Sequence, residues 1–171
     1  MRTIAAEMAA AGSAQPLDHV LDLFAREDGY ATPKVDVRGA VFRDGRILLV
    51  RESGLWTLPG GWADVEDTPA QAVERETREE AGYEVRATRL LMCLDRTRHP
   101  HVPPRPWRIY KLFFACELVS EERAPLGSET DAAEFFAADA LPQLDLGRVT
   151  PGQIARLFEH AADPRLPVDF D

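Results

Sequence analysis

The sequence predicts an α/β domain preceded by a short helical segment, and three observations carry that prediction. β-formers alternate and close into a hairpin between Lys34 and Val50; a helix with strong start and stop residues lies between Thr68 and Gly82; two long β-rich stretches then lead to a last capped helix. Gly29 to Pro33 breaks the leading pattern, and the composition changes there from Ala-rich to alternating β-formers. This divides the chain into a helical segment, residues 1–32, and a main domain, residues 33–171.

In the leading segment Thr3 to Ala11 and Pro16 to Glu27 read as helices, the second placing Leu17, Val20, Leu21 and Phe24 on one face. Arg2 and the small residues after it superficially suggest a signal peptide, but Glu7 interrupts an already weak apolar region, so the start is read as helix. From Lys34 onward, Val35, Val37 and Val41 alternate with Lys34, Asp36 and Arg38; Arg43 to Arg46 supplies a turn, and Ile47 to Val50 returns as the second strand. Leu55 to Gly61 is expected to be loop, because Pro59 and the paired glycines force irregular backbone. Thr68 caps the next helix, Pro69 suits its first position, Gln71 completes a capping box and Gly82 ends it. Tyr83 to Leu94 and Trp107 to Val119 are long strands flanking a Pro- and Arg-rich loop. Ala133 to Phe136 is a shorter strand, followed by a turn or short helix near Asp139. Thr150, Pro151 and Gln153 open a final helix that runs to about Ala161.

Of 171 residues, 45% are apolar and 29% charged, a balance that suits a folded core. Lys and Arg number 20 against 29 Asp and Glu, a formal net charge of -9 that repels polyanions at long range, so no DNA partner is expected. No apolar stretch approaches the roughly 20 residues of a membrane span, so no membrane partner is expected either. Cys93 and Cys116 sit in apolar strand-like runs without metal-ligand spacing and read as reduced core residues, which fits a cytoplasmic protein. The sequence has neither the G-x-x-x-x-G-K-[ST] phosphate loop nor the G-x-S-x-G nucleophile elbow, so triphosphatase motors and serine hydrolases lose their main signature.

Chemistry concentrates in residues 61–83. On a helix Glu76, Glu79 and Glu80 stand at i, i+3 and i+4, so three carboxylates crowd one face. Each like-charge pair costs about 0.2–0.5 kcal/mol on an exposed helix. Arg75 can pair with Glu79, and a hard divalent cation would neutralise the face further; carboxylate oxygens at about 2.1 Å with places left for water and phosphate suit Mg²⁺. A solvated Glu-rich helix is the plain alternative, but this face follows a Gly-Gly loop at fixed distance and ends in Ala81-Gly82-Tyr83.

These residues resemble the Nudix hydrolase family, whose motif is G-x₅-E-x₇-R-E-U-x-E-E-x-G-U with U a bulky apolar residue. Gly61, Asp67, Arg75, Glu76, Thr77, Glu79, Glu80, Gly82 and Tyr83 take its named places, with Asp67 in place of Glu and Thr77 in place of an aliphatic residue. The resemblance extends from about Lys34 to the final helix and implies an α/β/α sandwich with a mixed sheet. The leading helices followed by Asp28 to Gly39 also look like a subgroup with an N-terminal helical segment that acts on nucleoside diphosphates linked to another moiety.

The resemblance implies water attack on a diphosphate of the ADP-ribose, nucleotide-sugar or CDP-choline type, giving a nucleoside monophosphate and a phosphorylated product, with a small-molecule nucleotide as substrate. The apolar face of Leu17, Val20, Leu21 and Phe24 needs a partner surface, either a second copy in a homodimer or this chain's own domain. Rival readings are a pyrophosphohydrolase of nucleoside triphosphates or RNA 5′ ends, and a nucleotide sensor that keeps the fold without turnover. Glu76, Glu79 and Glu80 are the expected metal ligands, joined by the Gly61 carbonyl; Mg²⁺ is the expected cofactor, with Mn²⁺ as a substitute. Arg75 is expected to orient the carboxylates. The general base is left between Glu129 and Glu79. Substrate-binding candidates are Arg51, Trp62 and the basic loop residues Arg96, Arg98 and His99; the arginine guanidinium forks suit a diphosphate.

Overall fold

The structure, a computed structural model, describes Glu7, Ala10 and residues 16–26, 32–105 and 108–171. The chain divides into two compact units, Met1–Thr32 and Pro33–Asp171. The first contains helix α1 (Leu17–Arg26), within the expected span. The expected helix from Thr3 to Ala11 lies outside the described residues except for Glu7 and Ala10, both helical.

In the second unit the order is β1 (Lys34–Arg43), β2 (Arg46–Glu52), β3 (Leu55–Thr57), α2 (Pro69–Ala81), β4 (Tyr83–Asp95), a 3₁₀ turn (Arg96–Arg98), β5 (Ile109–Arg123), β6 (Ala132–Phe136), α3 (Pro151–Ala162) and β7 (Asp169–Phe170). Positive φ at Asp44 and Gly45 makes the tight turn between β1 and β2. A second pair with positive φ, Ser53 and Gly54, turns β2 into β3. Part of the expected loop is therefore strand: Leu55–Thr57 pairs antiparallel with Val50–Glu52, and irregular backbone begins only at Leu58. The tripeptide is too short for periodicity to register.

The sheet runs β3-β2-β1-β5-β4-β7, with β6 also paired to β2. β1 lies parallel to β5, with Asp36 opposite Lys111, whereas β4 and β5 are antiparallel. Two cores follow from alternation along these strands. Val37 and Val41 pack with Ala72, Val73 and Ala81 of α2 on one face; Ala40 and Phe113 pack with Ile154 and Leu157 of α3 on the other. A mixed sheet between two helices is the expected α/β/α sandwich.

Both flanking helices carry the caps read from sequence. Gln71 N–H donates to Thr68 Oγ1 at 3.3 Å and Thr68 N–H to Gln71 Oε1 at 3.0 Å; Thr150 and Gln153 repeat the pattern. Each such cap contributes about 1 kcal/mol. Gly82 ends α2 in the left-handed region, and a Cβ there would lie 2.2 Å from the Ala124 carbonyl oxygen, so glycine is required twice over. Thr77, unusual beside the family motif, is buried and donates its hydroxyl back to the Val73 carbonyl at 2.7 Å.

Candidate active site

β2 pairs with β1 only at Phe42 and Arg43, and the glycine-rich loop lies along the earlier part of that side of β1. Gly39 N–H donates to Pro59 C=O at 2.8 Å, Val37 N–H to Gly61 C=O at 2.8 Å, and Ala63 N–H to Val35 C=O at 3.0 Å, so residues 59–63 are laid along β1 like a strand. Gly60 has φ +132°, and a Cβ there would come within 2.1 Å of the Val37 carbonyl oxygen. At Gly61 a Cβ would meet Glu76 Oε2 at 2.9 Å, so the glycine lets this carboxylate approach the loop. Gly60 N–H then donates to Glu80 Oε2 at 2.8 Å, which fixes α2 against the same loop.

A pocket of about 400 Å³ opens at this junction. Its lining carries the acids Asp36, Glu52, Asp64, Glu76, Glu80 and Glu129 together with the bases Arg38, Arg96, Arg105, Lys111 and Arg148. Burial, opposed by the Gly60 amide and Arg38, pushes the Glu80 carboxyl up to about 8; burial also raises Glu76, against the pull of Arg75. Glu52 lies 2.5 Å from Arg148, yet its buried Oε1 has no properly directed hydrogen bond.

Arg75 holds the outer acids together. Its Nε donates to Asp67 at 3.0 Å, Nη1 to Glu76 at 2.8 Å and Glu79 at 3.2 Å, and Nη2 to Asp64 at 3.2 Å. The shorter Asp67 therefore still reaches its arginine. Arg75 is raised above its ordinary value, first by the Asp67 bond.

The pocket lining also includes a trio that the sequence did not single out, Asp36, Arg38 and Lys111. Arg38 donates Nε and Nη2 to the two oxygens of Asp36 at 2.9 and 2.7 Å, and Lys111 adds a bond from Nζ to Oδ1. Lys111 is 1% exposed and Arg38 3%. Burial, with Arg38 nearby and Asp36 opposing, pushes Lys111 down to about 8. Although burial works to raise Asp36, the two cations hold it below the usual carboxylate range. The available signals were a lone Lys in an apolar strand and a D-x-R pair on one strand face.

Of the expected site residues, Gly61, Trp62, Glu76, Glu80, Arg96 and Glu129 line the pocket. Trp62 is 49% exposed, with Lys34 Nζ 5.6 Å from its ring centre. Glu129 arrives on a loop fastened to the end of α2 by Gly127 N–H to Glu79 C=O at 2.9 Å and Ala124 N–H to Gly82 C=O at 2.8 Å. Arg96 is 4% exposed and donates to the Pro103 and Gly147 carbonyls at 2.7 and 3.3 Å, so it clamps two loops while facing the pocket. Arg75 and Glu79 stand outside the lining, Glu79 with its side chain 53% exposed.

Arg51, Arg98 and His99 are not brought to it either. Arg51 turns over the Trp56 ring, while His99 pairs with Asp171 at 3.3 Å and Arg98 borders a separate hollow with Tyr110 and Phe170. A 3₁₀ turn sends neighbouring side chains in different directions, which splits the basic run that the sequence presents as one island.

The three helix carboxylates do not converge as expected: among the described residues no group of three or more His, Cys, Asp or Glu is gathered to hold a metal ion. Arg75 draws Glu76 and Glu79 together, and Glu80 turns to the Gly60 amide. The donor chemistry still fits a hard divalent cation. Carboxylates of Glu76 and Glu80 and the Gly61 carbonyl border one pocket, and Mg²⁺-type sites use one or two carboxylates with water and phosphate completing the shell.

Hard oxygen donors in one pocket with several cations suit a metal-assisted enzyme acting on phosphate compounds. The chain belongs to the NUDIX domain family, which matches residues 32–158. It is 44% identical over 170 residues to YjhB of Bacillus subtilis (strain 168), covering 98% of this chain and 81% of that protein. The structure resembles an ADP-ribose pyrophosphatase from Streptococcus suis 89-1591, with TM-score 0.74, 42% identity and coverage of 82% of this chain and 100% of that one. It also resembles a UDP-X diphosphatase, with TM-score 0.76, 30% identity and coverage of 96% and 80%. Hydrolases of this family generally need a divalent metal ion.

Proposed function

We infer that the protein is a Mg²⁺-dependent pyrophosphohydrolase that splits the diphosphate of a nucleoside diphosphate linked to another moiety, giving a nucleoside monophosphate and a phosphorylated product. The observation that carries this reading is one pocket lined by Gly61, Glu76 and Glu80 together with Arg96, Arg105 and Lys111. The kinship with an ADP-ribose pyrophosphatase and a UDP-X diphosphatase supports it.

Glu76, Glu80 and Gly61 would hold the cation, with Mn²⁺ as a substitute and Glu79 as a further candidate ligand. When bound, such an ion neutralises the diphosphate and makes water at the site more acidic. Arg75 keeps the Glu76 carboxylate in place. Glu129, which lines the pocket, would take a proton from attacking water, and Glu79 is the alternative base. Arg96 and Arg105 attract the diphosphate, and half-exposed Trp62 offers a face for stacking a base.

The protein's surroundings are read as cytoplasmic, since Cys93 and Cys116 are both free thiols and burial pushes Cys116 up to about 12. Assembly as a homodimer belongs to the same reading and is checked by light scattering. The function itself is tested with ADP-ribose, UDP-sugars and CDP-choline in ¹⁸O-labelled water with Mg²⁺. A nucleoside monophosphate and a phosphorylated partner, one carrying the label, are expected. Release of inorganic pyrophosphate from triphosphates alone, or no product from any compound, overturns the reading.

A further inference from the structure

We propose that Arg38 is a positioning residue for the Glu80 carboxylate, acting through the Leu58–Gly60 segment, and that Asp36 and Lys111 hold Arg38 in that posture. The inference rests on the reading of this pocket as the hydrolytic site.

Arg38 commits two nitrogens to Asp36 and its third, Nη1, to the Leu58 carbonyl at 3.1 Å. Each residue that follows is then fastened in turn: Pro59 by the Gly39 amide, Gly60 to Glu80, and Gly61 by the Val37 amide. One planar guanidinium thus ties β1 to the first residue of the loop whose third residue grips Glu80. A lysine at this place has the charge but no rigid fork to serve the carboxylate and the carbonyl at fixed angles. The Gly60 amide on Oε2 therefore fixes how the Glu80 carboxylate is turned.

The charge arrangement supports the same role. Two buried cations share one carboxylate in Asp36, so the trio keeps a net positive charge, and Arg38 is the cation felt by both Glu80 and Glu76. Buried ion groups are costly beside apolar packing, and backbone bonds such as Gly39 to Pro59 already anchor a loop. What the trio adds is a fixed positive charge beside the acids and a constraint on Leu58 that no backbone group supplies.

The test compares wild type, Arg38→Met and Arg38→Lys for Mn²⁺ binding by electron paramagnetic resonance and for steady-state kinetics, with circular dichroism as the folding control. Arg38→Met is expected to weaken Mn²⁺ binding at least tenfold and to lower kcat while leaving KM for the nucleotide within about twofold; Arg38→Lys recovers part of the loss. A folded Arg38→Met with wild-type Mn²⁺ affinity and kcat overturns the inference, as does a loss confined to KM, which would make Arg38 a substrate contact. If Arg38→Met fails to fold, the isosteric Asp36→Asn replaces it, and unchanged Mn²⁺ affinity in that variant has the same force. A wild-type protein that binds no Mn²⁺ and turns over nothing overturns the functional reading and this inference with it. Wild-type binding matched by both Arg38 variants overturns this inference alone.

Discussion

Gly60 donates its backbone N–H to Glu80 Oε2 at 2.8 Å from a conformation, φ +132°, that side-chain-bearing residues rarely adopt. Gly60→Ala would also drive a Cβ to 2.1 Å from the Val37 carbonyl oxygen. The variant should lose roughly 3 kcal/mol or more of stability, combining backbone strain with overpacking. Urea unfolding measures this directly, and a loss below about 1 kcal/mol would show that the loop is not locked onto β1.

Asp36 neutralises part of two buried cations, so removing its charge exposes both. Asp36→Asn should cost about 3–5 kcal/mol, the range for breaking a buried pair from one side. Adding Lys111→Met to that variant should restore part of the loss, because one stranded cation is removed with it. Thermal unfolding of the single and double variants decides the matter; simple additivity would mean that the trio is not a unit.

Arg75 touches four carboxylates from a partly exposed position. Arg75→Ala is expected to change stability by only about 1 kcal/mol, since such pairs are screened by solvent. Turnover should fall on the order of a hundredfold as Glu76 loses its orienter. Equal losses in stability and activity would contradict a positioning role.

His101 gives the fold an acid-sensitive point. It is buried, its Nδ1 is 2.9 Å from the Leu146 carbonyl, and its Nε2 is 3.2 Å from the Gln153 side-chain amide, an arrangement that suits the neutral ring. Burial, reinforced by Lys111 and Arg96 and opposed by the Leu146 bond, pushes it down from 6.5 to about 4. Between those values the unfolded chain takes a proton that the folded chain refuses. The contribution is therefore complete above pH 6.5 and is lost as pH falls towards 4, by roughly 3 kcal/mol at most. Denaturant midpoints for wild type and His101→Asn across that window should converge as pH falls; parallel curves would rule out His101 as the cause.

The α2 helix was legible because its ends are written in local chemistry: Thr68, Pro69, Gln71 and Gly82 each do what their residue type does at a helix terminus. The approach of Glu76 and Glu80 to the glycine loop was legible only from motif spacing, and the local pattern placed Glu79 with them, since it does not reveal that the Glu79 side chain stays exposed outside the pocket lining. The Asp36, Arg38 and Lys111 trio was hidden for another reason. Strand alternation marks two faces without saying what covers each, and Asp36 meets Lys111 only through a parallel pairing of strands 75 residues apart. Arg98 and His99 show the opposite error, since adjacency in sequence suggested a shared surface that the turn after β4 divides.

The most direct measurement of the central claim is turnover by Glu80→Gln beside wild type, on the best substrate found among the nucleoside diphosphate derivatives and with Mg²⁺ present. The isostere should keep the circular dichroism spectrum and melting behaviour of the wild type while kcat falls at least about a hundredfold, as expected when a group acting in the transition state is removed. A folded Glu80→Gln protein that hydrolyses its substrate at the wild-type rate would contradict the account.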